Sequence, residues 1–132
     1  MTIKILLVDD NLTFLAAVRH FLSMMPDATV VGEAHDGHHA LTLATQLQPD
    51  LVLLDIVMPE LNGLNVARAM QSWPRPPSIV FLSMHDSESY RAAARDLGAI
   101  GFVGKADFVV GLLPIIANLT AARATTATGE GT

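Results

Sequence analysis

The chain has 132 residues, no cysteine, and 13 acidic residues against eight Lys and Arg, for a formal net charge of −5. That length fits one domain with one good core; the acidic balance argues against direct nucleic-acid binding by this chain; the missing thiols exclude disulfides, thiolate metal sites and cysteine nucleophiles. With 51% hydrophobic residues, disorder is expected only near the C-terminal end.

In chain order, residues 3–10 form an apolar run, Ile-Lys-Ile-Leu-Leu-Val, ending in Asp9 and Asp10. Residues 11–25 place Phe14, Val18, Phe21, Leu22 and Met25 on one helical face, with Asn11 or Thr13 as cap and Pro26 as stop. Residues 29–34 are short and β-branched, a second strand. A turn at 35–37 leads to a helix over 38–48, stopped by Pro49. Residues 51–55, Leu-Val-Leu-Leu-Asp, read as a strand buried on both faces, with Met58-Pro59 turning the chain away. Leu61-Asn62-Gly63 opens a third helix, and the proline-rich stretch at 73–77, with Trp73 in local packing, is a stiff loop. Residues 78–83 are the fourth strand. Asp86 or Ser87 caps a helix through Leu97, with Gly98 as its C′ residue. Residues 100–103 are a short fifth strand.

The last helix is predicted within 109–122, and Gly111 and Pro114 suggest a start near 111–113. Leu112, Ile116 and Leu119 make one stripe; Leu113, Ile115 and Phe108 point elsewhere and suggest a contact surface. Residues 124–132 are small and polar and are expected to fray, so the domain is placed at 1–122 and a flexible tail or linker start at 123–132. Strands alternating with helices imply right-handed βα units and a parallel sheet covered on both faces. There is no leader pattern, and no apolar run approaches a membrane span, so a soluble, unsecreted protein is expected.

Two strands that end in carboxylates deliver Asp9, Asp10 and Asp55 to the edge of the sheet where ligands bind. Like charges so placed oppose one another's ionisation unless a cation sits among them. Oxygen ligands alone favour a hard cation such as Mg²⁺. The plainer alternative is that these residues cap the helices that follow. His35, His38 and His39 fall at a turn and helix start, with no Cys or buried carboxylate beside them, and read as surface histidines.

The pattern resembles the receiver domain of bacterial two-component response regulators, over about residues 3–120. The resemblance rests on Asp9-Asp10 after strand one, Asp55 with Met58-Pro59 and Gly63, Ser83 ending strand four, and Lys105 after strand five. Val-Val-Gly-Glu-Ala at 30–34, Met84-His85-Asp86 and Gly98-Ala99-Ile100-Gly101-Phe102 look most like the NarL/FixJ-type subgroup. It implies an α/β, flavodoxin-like, CheY-like (βα)5 fold with a five-stranded parallel sheet of order 2-1-3-4-5. It also implies roles. Asp55 is the phosphoacceptor. Asp10 binds Mg²⁺ directly, Asp9 largely through water or by orienting the shell, and the Val57 carbonyl completes the protein ligands. Ser83 and Lys105 hold the phosphoryl oxygens, and Phe102 is the switch aromatic.

Val57 and His85 lie two residues beyond Asp55 and Ser83 and are expected to set the phosphate's lifetime, with slow to moderate self-hydrolysis. The resemblance implies a sensor histidine kinase or a phosphotransfer protein as the donor. Output is expected through protein contacts, including a homodimer or partner contact through the last helix or the 87–122 surface, in the cytoplasm and without membrane contact. The chain is expected to be a phosphoacceptor rather than an enzyme. An aspartyl-phosphate hydrolase would use similar residues but needs an Asp where Val57 stands, and a cap for which no insertion is long enough. A binding module that works without phosphorylation is the other alternative, against which the complete residue set argues. Too few residues follow Leu119 for a helix-turn-helix module. The chain is therefore either a stand-alone regulator or one cut at its linker, and transcriptional control requires a joined DNA-binding domain.

Overall fold

In the computed structural model, residues 2–85 and 87–130 are described, with side chains as far as residue 122. The elements alternate: β1 (Ile3–Val8), α1 (Leu12–Ser23), β2 (Ala28–Ala34), α2 (Gly37–Leu47), β3 (Leu51–Asp55), α3 (Gly63–Gln71), β4 (Ser78–Ser83), α4 (Glu88–Asp96), β5 (Gly101–Gly104), a 3-10 turn (Lys105–Asp107) and α5 (Phe108–Glu130). The five strands form one parallel sheet of order β2-β1-β3-β4-β5. This is the flavodoxin-like order the resemblance implies.

Period-two alternation sends successive strand residues to opposite faces, and so builds two cores from the same strands. Leu6, Val8, Val52, Leu54, Ile79 and Phe81 pack with Ala40, Ala44, Val66, Ala67, Met70 and Ala94 of α2, α3 and α4. Ile3, Ile5, Leu7, Leu51, Leu53, Val80 and Val103 pack with Leu15, Val18, Phe21 and Leu22 of α1 and Leu112 and Ile116 of α5. β3 lies centrally and every residue in it is buried. That is why its sequence is a continuous apolar run rather than an alternating one.

Short polar side chains fix where four helices start. Asn11 Oδ1 accepts from the Phe14 N–H at 3.0 Å, Asp36 Oδ1 from His39 at 2.8 Å, and Asn62 Oδ1 from Asn65 at 2.9 Å. Ser87 accepts from Tyr90 in the same way. Asp86, the other candidate cap, lies outside the described residues. Gly98 closes α4 at φ +75°, the left-handed conformation expected of a C′ glycine.

α5 departs from the sequence expectation. It begins at Phe108, not near 111–113, runs straight through Pro114, and its backbone is helical to Glu130. Pro114 removes the hydrogen bond to the Val110 carbonyl. Val110 is 76% exposed, so that carbonyl lies on the face open to water. Leu112 and Ile116, on either side, are fully buried and hold the helix to the sheet. Gly111 is not a weak point. A Cβ there would lie 2.6 Å from Val103 Cγ1, so glycine is what allows α5 to approach β5. Phe108 and Ile115 pack against the core instead of pointing away, and among the described residues the large exposed apolar side chains on α5 are Val109, Val110 and Leu113. The window Lys105–Ala122 is long and apolar enough to cross a membrane by length and composition. Its first residue lies in the acidic site described next and its middle is in the core, so we read it as the domain's fifth helix.

Candidate functional site

The carboxyl ends of four strands converge. β1 hands the chain to Asp9 and Asp10, β3 ends in Asp55, β4 ends in Ser83, and β5 leads to Lys105. Parallel register sets their depth, since Val8 pairs Leu54, Asp55 pairs Leu82, and Ser83 pairs Gly104. The carboxylate oxygens of Asp9, Asp10 and Asp55 lie within 4.8 Å of one another. Asp9 is fully buried and Asp55 nearly so, while Asp10 is exposed at the rim.

Lys105 reaches into this cluster. Its ammonium is 2.7 Å from Asp9 Oδ2 and 3.4 Å from Asp55 Oδ2. Asp9 Oδ1 accepts from the Asn11 N–H at 2.9 Å, whereas its buried Oδ2 takes no hydrogen bond beyond that ion pair. One ammonium against three carboxylates leaves the cluster net negative. Burial first, and the Asp9 charge second, push the Asp55 carboxyl up from 3.8 to about 7, against the pull of Lys105. An under-partnered buried oxygen and an all-carboxylate donor set fit a hard divalent cation.

The opening over the cluster is a hollow of about 440 Å³ lined by Asp10, Asn11, Asp55, Val57, Met84, His85 and Lys105. Val57 and His85 thus stand at its mouth, both exposed. A larger hollow, about 790 Å³, lies under the 73–77 loop beside Asp50 and Ser78, at the opposite edge of the sheet. The three-carboxylate cluster is not there, so size does not mark the site. His35, His38 and His39 are exposed and, among the described residues, belong to no metal-binding cluster with carboxylates.

Ser83 Oγ donates to the His85 carbonyl at 2.9 Å and accepts from the His85 N–H at 3.0 Å, a closed turn at the strand end. Phe102 is half-buried on β5 against the core, and the Arg91 guanidinium of α4 sits 4.7 Å from its ring centroid. Behind Asp55 the chain folds back tightly. The Gly63 N–H donates to the Ile56 carbonyl at 2.8 Å, and a Cβ on Gly63 would fall 2.0 Å from the Asp55 carbonyl oxygen. Sequence reasoning missed Asn11 and Met84 as lining residues and missed Arg91 beside Phe102. Asn11 carried a signal as a helix cap directly after Asp9-Asp10, and Met84 as part of Met84-His85-Asp86; Arg91 carried none.

The family model for the response regulator receiver domain matches residues 5–109. The chain belongs to that family. The receiver domain is 34% identical over 119 residues to the transcriptional regulatory protein DegU of Brevibacillus brevis, covering 87% of this chain and 50% of that protein. It is 40% identical over 101 residues to the nitrate/nitrite response regulator protein NarL of Escherichia coli strain K12, covering 76% of this chain and 47% of that protein. The chain therefore spans about half the length of these curated relatives. Among solved structures, the signal receiver domain of the putative response regulator NarL from Mycobacterium tuberculosis superposes with a TM-score of 0.83 at 32% identity, over 89% of this chain and 95% of that one. This is a receiver domain of the NarL and DegU type.

Proposed function

We propose that this receiver domain accepts a phosphoryl group on Asp55 from a sensor histidine kinase or phosphotransfer protein and passes the change on through protein contacts. The observation that carries the reading is the meeting of three carboxylates with one buried lysine at a shared sheet edge. Asp10, Asp55 and the Val57 carbonyl are the residues to hold Mg²⁺, with Asp9 orienting the shell. When bound, the ion supplies Lewis-acid neutralisation of phosphoryl charge.

The chain's own residues do the rest. An Asp55 oxygen attacks phosphorus, the bond from phosphorus to the donor imidazole breaks, and the product is an acyl phosphate. Lys105 turns from Asp9 toward the new phosphoryl oxygens, as a compact point charge that arginine would not replace. The Ser83 hydroxyl leaves its turn with His85 to bond a phosphoryl oxygen. Phe102 follows inward, shifting an equilibrium that already exists. Phe102 has no hydroxyl to pin either state, and Arg91 over its ring holds the outward side. Val57 offers no polar group to orient water at the hollow's mouth, and His85 lies beside it, so we expect slow to moderate self-hydrolysis. The same Val57 removes the acid/base carboxylate an aspartyl-phosphate hydrolase requires.

The site is tested by incubation with Mg²⁺ and a small acyl-phosphate donor, followed by borohydride reduction and peptide mapping. Homoserine at position 55 is expected, because reduction of an acyl phosphate yields the alcohol. Modification at another carboxylate would reject the assignment. Within the same reading, Val109, Val110 and Leu113 make the exposed face of α5 the surface for a second copy or a protein partner. Sedimentation of the phosphorylated form should show self-association that Val110→Glu weakens. A monomer at every concentration, with no change in the variant, removes self-association there. Cytoplasmic action, and transcriptional output where a DNA-binding domain is joined, belong to the same proposal.

A further inference from the structure

The Lys105 side chain is 7% exposed, and two carboxylates do not account for all of the surroundings of its ammonium. It also lies over the ring of Phe14, 4.9 Å from the centroid. Phe14 comes from the first turn of α1, and its N–H is held by the Asn11 side chain. Its ring meets the Phe108 ring edge-on at 5.4 Å and 79°, and Phe108 meets Phe21 at 5.9 Å and 82°. Phe108 heads α5, three residues after Lys105. Both the ring and the lysine are therefore anchored at the junction of α1 and α5.

We infer that Phe14 is a positioning residue for Lys105, its ring holding the ammonium over the acidic hollow where a phosphoryl group arrives. A lysine stem has four carbons and many rotamers. The two carboxylates alone would hold the ammonium by charge, but Asp55 must give up that contact when it reacts. The ring faces no such change. Its negative face attracts a cation, more strongly where water is excluded, and it presents nothing that competes for the phosphoryl oxygens. An aliphatic side chain of similar bulk would fill the space without that attraction, leaving the ammonium freer to turn toward solvent.

The inference rests on Lys105 being the cation that meets the phosphoryl group. The test compares the wild type with Phe14→Leu, Phe14→Trp and a series in which Phe14 is replaced by progressively fluorinated phenylalanines, which keep the shape while weakening the ring's negative face. Phosphoryl uptake from a small acyl-phosphate donor with Mg²⁺ is read by intact mass against time. Phe14→Leu is expected to be ~3- to 10-fold slower, Phe14→Trp within about twofold of the wild type, and the fluorinated series to slow stepwise. Lys105 Cε protons should resonate upfield in the wild type from the ring current, and lose that shift in Phe14→Leu. Equal rates in all variants, or equal slowing by Leu and Trp without a fluorine trend, would overturn the inference. If Phe14→Leu does not fold, the fluorinated series decides. If the wild type takes up no phosphoryl group, the proposed function fails, and the ring-current shift still decides whether Phe14 holds Lys105.

Discussion

Asp55→Asn should stabilise the metal-free protein at pH 8 and do so far less at pH 4. The native Asp55 carboxyl sits at about 7, against an ordinary 3.8, because it is buried beside Asp9. Between those two values the native state keeps a proton that the unfolded chain has lost. Unfolding free energy therefore falls as pH rises through this window, and the loss is complete above the native value. Asparagine has no such titration and carries no charge toward Asp9. The gain is tempered because Lys105 loses one of its two carboxylate partners. Subtracting one protein's stability from the other's cancels the remaining titrating groups. The difference between pH 8 and pH 4 should then be roughly 4 kcal/mol in favour of Asn, read by urea unfolding in chelator. Adding Mg²⁺ at pH 8 should stabilise the wild type, and the variant much less, since a cation that needs the ionised carboxylate competes with its proton. A wild-type to Asn difference that does not change with pH would place the Asp55 carboxyl in its ordinary range and contradict the crowding of charge on which the site depends.

The second large effect is at Gly63. Its Cβ would lie 2.0 Å from the Asp55 carbonyl oxygen and 2.9 Å from the Ile56 Cα. Both are backbone, so no flexible side chain can move aside. Either α3 retreats from the end of β3, breaking the Gly63 to Ile56 hydrogen bond, or the Asp55 backbone shifts. Gly63→Ala should cost on the order of 3 kcal/mol, as severe overpacking does. Whatever fraction folds should take up phosphoryl groups at least ~10-fold more slowly, because a displacement near 1 Å of the reacting group costs that much or more. Chemical denaturation and donor uptake on the same preparation check both. Wild-type stability in Gly63→Ala would show that the 56–63 loop has slack the close approach denies.

Much of this site was legible in the sequence, for a physical reason. In a parallel sheet the carboxyl ends of the strands share one edge, so a polar residue at the end of an apolar run is placed by the strand itself. Asp9, Asp10, Asp55, Ser83 and Lys105 are all of that kind. The sheet order came from the resemblance and not from periodicity, which cannot rank strands. α5 starts earlier than its glycine and proline suggest, because helix propensity alone registers neither close approach nor an exposed carbonyl. Close approach to Val103 explains Gly111, and an exposed carbonyl makes Pro114 tolerable. Phe14 and Arg91 carried no sequence signal as partners of Lys105 and Phe102. Each pair joins different elements, and only side-chain placement across them brings ring and cation together. The crowding of like charges that raises the Asp55 carboxyl is legible in the sequence, but its larger cause, the burial of Asp55 itself, shows only in the packed fold.

The most direct measurement is intact mass after exposure to a small acyl-phosphate donor, for the wild type with Mg²⁺, the wild type in chelator, and Asp55→Ala with Mg²⁺. One phosphoryl mass on the first alone is the predicted result. Equal uptake in chelator, or uptake that survives in Asp55→Ala, would contradict it.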